Sequence, residues 1–119
     1  MPATGTLQYI YNIVPTNFSE DRFIQASEVR SKRTGVVHHV RVLEAGADPS
    51  LLQPRKAAEL GPLEQIKMHG FAIEGLSLVA NYVPGNNDNA VRYPEHKGLR
   101  IKKGATLIIE THFTPNGTP

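Results

Sequence analysis

The sequence predicts an all-β protein, an antiparallel β-sandwich with one partly helical excursion. Apolar residues alternate with period two in several separate runs, the pattern of half-buried strands. Turn chemistry punctuates those runs, as in Pro84-Gly85-Asn86-Asn87-Asp88-Asn89, Tyr93-Pro94 and Pro115-Asn116-Gly117. The chain has 119 residues, enough to enclose one core, and many short strands within that length favour two packed sheets.

The first strand is predicted over residues 7–14, where Leu7, Tyr9, Tyr11 and Ile13 share a face and Ile10 and Val14 lend some apolar character to the other. A second spans 23–29, opened by the turn-like Asn17-Phe18-Ser19-Glu20-Asp21. Residues 36–43 are the clearest β-branched run, entered through Thr34-Gly35. Residues 47–69 break the pattern. Asp48-Pro49-Ser50 followed by Leu51, Leu52, Ala57, Ala58 and Leu60 suggests a helical turn or two, interrupted by Pro54 and Gly61-Pro62. Residues 71–83 hold one long strand or two short ones, with Gly75 marking a bulge or bend. The last strand, 106–113, is introduced by Lys102-Lys103-Gly104.

Composition excludes several function classes. Hydrophobic residues make up 39% and charged residues 20%, a folded, soluble balance. The formal charge of +2, from 13 Lys and Arg against 11 Asp and Glu, is scattered and argues against a nucleic-acid or membrane partner. No apolar run approaches the roughly 20 residues of a membrane helix, and the N-terminus lacks a basic-then-apolar signal peptide. Cysteine is absent, which removes disulfides, thiolate metal sites and cysteine nucleophiles. No Gly-x-Ser-x-Gly elbow frames any serine. Glu44, Glu74 and Glu110 are available as acids or bases, but nothing in the sequence brings them together. Asn17-Phe18-Ser19 and Asn116-Gly117-Thr118 fit the glycosylation pattern, which is short enough to arise by chance. Tyr9 and Tyr11 read as sheet packing.

That leaves the histidines: His38, His39, His69, His96 and His112. Without cysteine, a transition-metal site here depends on imidazoles, which suit copper, zinc, iron and nickel. His38 and His39 are adjacent in a predicted strand, where neighbours point to opposite faces. They can share an ion only if the strand bends, bulges or ends there; otherwise one is half-buried and the other solvated. His112 lies with Thr106, Ile108 and Glu110 on the more polar face of the last strand, a good place for a ligand and an ordinary one for a solvated residue. His69 and His96 fall in irregular segments and read as surface residues, and Met68 as a gap-filler or a soft ligand.

Three blocks, read in order, carry a resemblance. They are Ile13-Val14-Pro15-Thr16-Asn17-Phe18-Ser19-Glu20-Asp21-Arg22-Phe23-Ile24-Gln25-Ala26, then Val37-His38-His39-Val40, then Tyr82-Val83-Pro84-Gly85 leading through Gly104-Ala105-Thr106-Leu107 into Glu110-Thr111-His112-Phe113-Thr114-Pro115-Asn116-Gly117. Together they resemble bacterial homologues of the copper type II, ascorbate-dependent monooxygenases, the family of peptidylglycine α-hydroxylating and dopamine β-monooxygenases. The resemblance covers most of the chain and is vaguest over residues 45–70.

It implies two successive antiparallel jelly-roll domains with one copper each. Residues 1–119 would be the first, a piece of a longer protein, with His38, His39 and His112 as copper ligands. That copper would store an electron taken from ascorbate or another small-molecule one-electron donor. The partner implied is the second copper domain of the same protein, which binds O2 through a His-x-His pair and a methionine and hydroxylates an aliphatic carbon. No His-x-His pair occurs here, so this chain is not expected to hydroxylate anything alone. A periplasmic or secreted location is expected, and a homo-oligomer is allowed. Two alternatives stay open: a mononuclear zinc hydrolase using the same histidines, and a metal-free β-sandwich serving as a binding module.

Overall fold

A computed structural model describes residues 4–5, 7, 9–32, 34–45, 76–85 and 89–117. Every regular element among them is a strand: β1 (Ile10–Pro15), β2 (Arg22–Ile24), β3 (Ala26–Glu28), β4 (Val37–Glu44), β5 (Ser77–Tyr82), β6 (Ala90–Arg92), β7 (Leu99–Ile101) and β8 (Thr106–Phe113). All described pairings are antiparallel. The main sheet has the order β1-β8-β4-β5, and two ribbons, β2-β7 and β3-β6, complete the set. The described residues are therefore all-β, as the period-two runs predict. The excursion expected at 47–69, with Met68 and His69, lies outside the described residues, as does Gly75.

Two apolar clusters hold the main sheet. On one face Val79, Ile101 and Ala105 are buried together, joined by Phe18, Ile24, Val42, Leu99 and Leu107. Ile24, Leu99 and Ile101 come from the β2-β7 ribbon, so this cluster is the filling of a sandwich. On the opposite face Leu43, Ala45 and Ile108 pack with Tyr11 and Leu76. Alternation along β4 and β8 produces the division, with Val42 and Leu107 on one side and Leu43 and Ile108 on the other.

The ribbon is tied down by its loops. Thr16 donates both its backbone N–H (3.1 Å) and its hydroxyl (2.6 Å) to the Ala105 carbonyl. Gly104 N–H donates to the Phe18 carbonyl at 3.0 Å from a left-handed turn, φ 67°, where glycine carries no steric cost. At Gly98 a Cβ would sit 2.9 Å from the Ile24 carbonyl oxygen, so only glycine lets β2 and β7 approach this closely.

The expected strand at 23–29 is two strands. The chain turns at Gln25, whose carbonyl accepts the Tyr93 N–H at 2.8 Å, and β2 and β3 then pair with different partners. Residues 90–92 and 99–101, for which the sequence predicts no strand, form the partner strands β6 and β7. Three residues are too few for a period, and such strands owe their existence to the neighbour they pair with. The strand at 106–113 matches its prediction, while those expected at 36–43 and 7–14 run 37–44 and 10–15.

Ile101 is 1% exposed at the centre of the sandwich. Ile101→Ala should lower unfolding free energy by about 2–5 kcal/mol, read from the urea midpoint. Val91→Ala, at an exposed position, should change it by less than about 0.5 kcal/mol. Equal effects from the two would mean that the ribbon is not part of the core.

Candidate metal centre

β8 presents Thr106, Ile108, Glu110 and His112 to the face opposite the ribbon. The register with β4 sets Leu43 beside Ile108, Arg41 beside Glu110 and His39 beside His112. From β1, Tyr11 pairs with Glu110, and Tyr9, just before the strand, continues the alternation. Successive layers along this face are thus apolar, then ionic, then imidazole.

The adjacent histidines meet because β4 bulges. Val37 pairs with Phe113 and His39 with His112, so β4 carries one residue more than β8 between those pairs, and that residue is His38. Two residues then oppose one, the arrangement that breaks strict alternation. Pairing resumes beyond the bulge, where Thr114 N–H donates to the Val36 carbonyl at 2.8 Å. Strict parity would have grouped Val37 with His39; the extra residue instead moves Val37 into register with Phe113, where it is buried.

His38, His39 and His112 each offer a ring nitrogen, and these atoms all lie within 4.8 Å of one another. His38 Nδ1 and His39 Nδ1 are 3.0 Å apart. Two nitrogens at that separation, each about 2.0 Å from one ion, subtend roughly 100° at it. The ring centroids of His112 lie 5.2 Å from those of both other histidines. Two ligands of one ion can be at most about 4 Å apart, so the widest pair closes by less than about 1 Å. Three neutral imidazoles fit copper or zinc equally well by donor type.

A buried ion pair lies under His39. Arg41 Nε and Nη2 each reach Glu110 Oε1 at 2.6 Å, and the Glu110 side chain is fully enclosed. The same oxygen is 3.3 Å from His39 Nε2. A carboxylate only accepts, so this contact calls for Nε2–H on His39, which would turn the Nδ1 lone pair toward His38 and leave His38 Nδ1–H to supply the 3.0 Å contact. Burial lowers the His39 pKa, against the upward pull of its hydrogen bond to Glu110 and that carboxylate's charge. The ring is thus neutral at neutral pH, as a metal ligand must be.

Tyr9 covers the cluster. Its ring stacks on His112 with centroids 4.4 Å apart and planes 9° from parallel, and lies 5.5 Å from the His39 ring. Burial, then the adjacent Glu110 carboxylate, pushes the Tyr11 phenol well above its ordinary pKa; Tyr9 is shifted the same way by the same causes.

All three histidines singled out in the sequence are brought together. His96 is not among them: it sits in an exposed turn at φ 61° with Glu95 3.7 Å away. Arg41 and the stacking role of Tyr9 were not foreseen. Arg41 shares a face of β4 with His39 and Glu110 a face of β8 with His112, and only the register of the two strands shows that they meet. No protein-family model, curated protein or solved structure matches the chain.

Because the folded-state pKa of Tyr11 lies above its unfolded value near 10, its contribution to stability is complete below about pH 10 and is lost as pH rises toward the folded-state value. Absorbance titration of the folded protein should show a tyrosine that ionises after the others, and Tyr11→Phe should delete that step. Its survival in Tyr11→Phe would assign the late phenol elsewhere.

Proposed function

We propose that the chain is the electron-supplying copper domain of an O2-dependent monooxygenase, with His38, His39 and His112 as ligands. The observation that carries the reading is the bulge, which puts an adjacent histidine pair opposite a third histidine with two Nδ1 atoms 3.0 Å apart. An adjacent pair in a regular strand would have served two faces. Here both residues serve one, and the resemblance in sequence names the chemistry that such a triad performs. Copper held there would supply storage of one electron, as Cu(I), between reduction and use.

The chain's own residues provide the rest. His38 is exposed while His39 and His112 are half-buried, so a small reductant such as ascorbate has an approach on the His38 side. Arg41 balances Glu110, leaving a donor set without net charge. In this reading the sandwich is of jelly-roll type, a second copper domain of the same protein completes hydroxylation, and the protein works in the periplasm or outside the cell. The zinc-hydrolase alternative needs a carboxylate poised to take a proton from metal-bound water. Among the described residues the carboxylate that touches the triad, Glu110, is instead fully enclosed, tied to Arg41 and placed on the far nitrogen of His39.

The metal-stripped protein should bind one copper, with a nitrogen-rich type II paramagnetic resonance spectrum in the Cu(II) state. His38→Ala and His112→Ala should each abolish or alter it. No stoichiometric copper, or binding indifferent to both substitutions, would leave a metal-free module as the better reading. Binding should also weaken as pH falls, because protons compete for imidazole nitrogens; a pH-independent affinity from about 8 down to about 5 would argue against histidine ligation.

A further inference from the structure

We propose that Glu110, clamped by Arg41, is a positioning residue that fixes Nδ1 as the coordinating nitrogen of His39 and, with Arg41, keeps the charge beneath the site balanced. The second half rests on the copper reading; the first does not.

Glu110 is the largest polar side chain that the described core encloses completely. Its Oε1 takes both Arg41 contacts at 2.6 Å and stands 3.3 Å from His39 Nε2. A neutral imidazole has one N–H and one lone pair, and a carboxylate accepts only. The Arg41 guanidinium holds that carboxylate oxygen against Nε2, so the His39 proton stays on Nε2. The lone pair is then on Nδ1, the atom that faces His38 Nδ1. Ligand histidines are commonly oriented by an acceptor on their second nitrogen. What is particular here is the fork of Arg41, rigid and permanently charged, which holds the acceptor in place. Arg41 comes from the same strand as His39, two residues on, and Glu110 from the same strand as His112, two residues back. The pair therefore ties together the two strands that carry the ligands, immediately below them.

Arg41 and Glu110 sum to zero, so a cation among three imidazoles meets no net charge from the pair. Removing the guanidinium leaves a carboxylate, which favours the divalent ion over the univalent one. Neutralising the carboxylate leaves a guanidinium, which does the reverse. Opposite signs from two partners of one contact are not what loss of packing would produce.

Two measurements test this. The first is the tautomer of His39 in metal-free protein at neutral pH, from long-range proton–nitrogen correlation spectra of 15N-labelled samples. Wild type should show His39 with its proton on Nε2. Glu110→Leu should populate both tautomers, because either ring can then donate across the Nδ1 contact, and Glu110→Gln should restore Nε2–H through its amide oxygen. The second is competition with Cu(I)- and Cu(II)-selective chelators. Arg41→Met should move the ratio of the two affinities at least tenfold toward Cu(II), which is about 59 mV for a one-electron couple. Glu110→Gln should move it the other way. A wild-type His39 protonated on Nδ1 would overturn the proposal whatever the variants do, and so would two substitutions shifting the ratio in the same direction or not at all. Failure of wild type to bind copper, with His39 holding a Glu110-dependent Nε2–H, would remove the copper reading while upholding the tautomer lock.

Discussion

The arrangement depends on one surplus residue. Between the pairs Val37–Phe113 and His39–His112, β4 is longer than β8 by His38. Remove that surplus and either His38 or His39 faces the ribbon side of the sheet, because a shift of one residue exchanges the faces of every side chain beyond it. The bulge is closed at both ends. On one side Thr114 N–H holds Val36; on the other, β4 runs in unbroken register with β8 from His39 to Glu44. Neither histidine has a positive φ, the exceptions outside glycine among the described residues being Asn17 and His96. The kink therefore needs no left-handed residue, and its cost falls on lost ladder hydrogen bonds rather than on backbone strain.

Above and below that kink the face is graded. Leu43, Ala45 and Ile108 form an apolar floor, Arg41 and Glu110 lie over it, and the imidazoles stand at the sheet end. An enclosed ion pair is poor value for stability alone: well-packed apolar residues of similar volume do as well or better, while removing one partner costs about 3–5 kcal/mol. A pair in this place is better explained by what it does to its neighbour. It sits where a leucine would fit, and a leucine could not orient His39. Tyr9 works from the other side, its ring nearly parallel to that of His112. Of the triad, His39 and His112 are thus held by their surroundings, and His38 is the one left toward solvent.

Much of this was legible in the sequence, and the part that was not has a physical reason. Period-two alternation located β1, β4, β5 and β8, since each is long enough to show a period and has one face against a core. It also assigned Ile108, Glu110 and His112 to one face correctly. β6 and β7 were missed because three-residue strands carry no periodic signal, and the run at 23–29 was read as continuous because nothing in Phe23-Ile24-Gln25-Ala26-Ser27 records a change of partner. Adjacency makes a bend, bulge or strand end the condition for His38 and His39 to share an ion, but the sequence does not mark where it falls. Bulges that use glycine announce themselves; Val37-His38-His39-Val40 contains none. The Arg41–Glu110 contact was hidden for a related reason, since parity lists what shares a face and only the register says which residues sit side by side.

The tautomers implied by these contacts bear on how a cation would enter. With His39 holding its proton on Nε2 against Glu110, the contact between the two Nδ1 atoms must be donated by His38. Any ion that takes both Nδ1 lone pairs must first displace that proton. His38 is the exposed member of the triad, so its ring can lose a proton from Nδ1 and take one on Nε2 by exchange with water. His39, half-buried and hydrogen-bonded to the ion pair, has less of that freedom and needs none, because its lone pair already faces the site. The burial gradient across two adjacent residues would divide the work if the triad held a metal: one ligand would be preset by the protein, and its neighbour would adjust as the ion arrived. A regular strand would separate two such neighbours onto opposite faces, and the extra residue in β4 is what lets both roles operate at a single site.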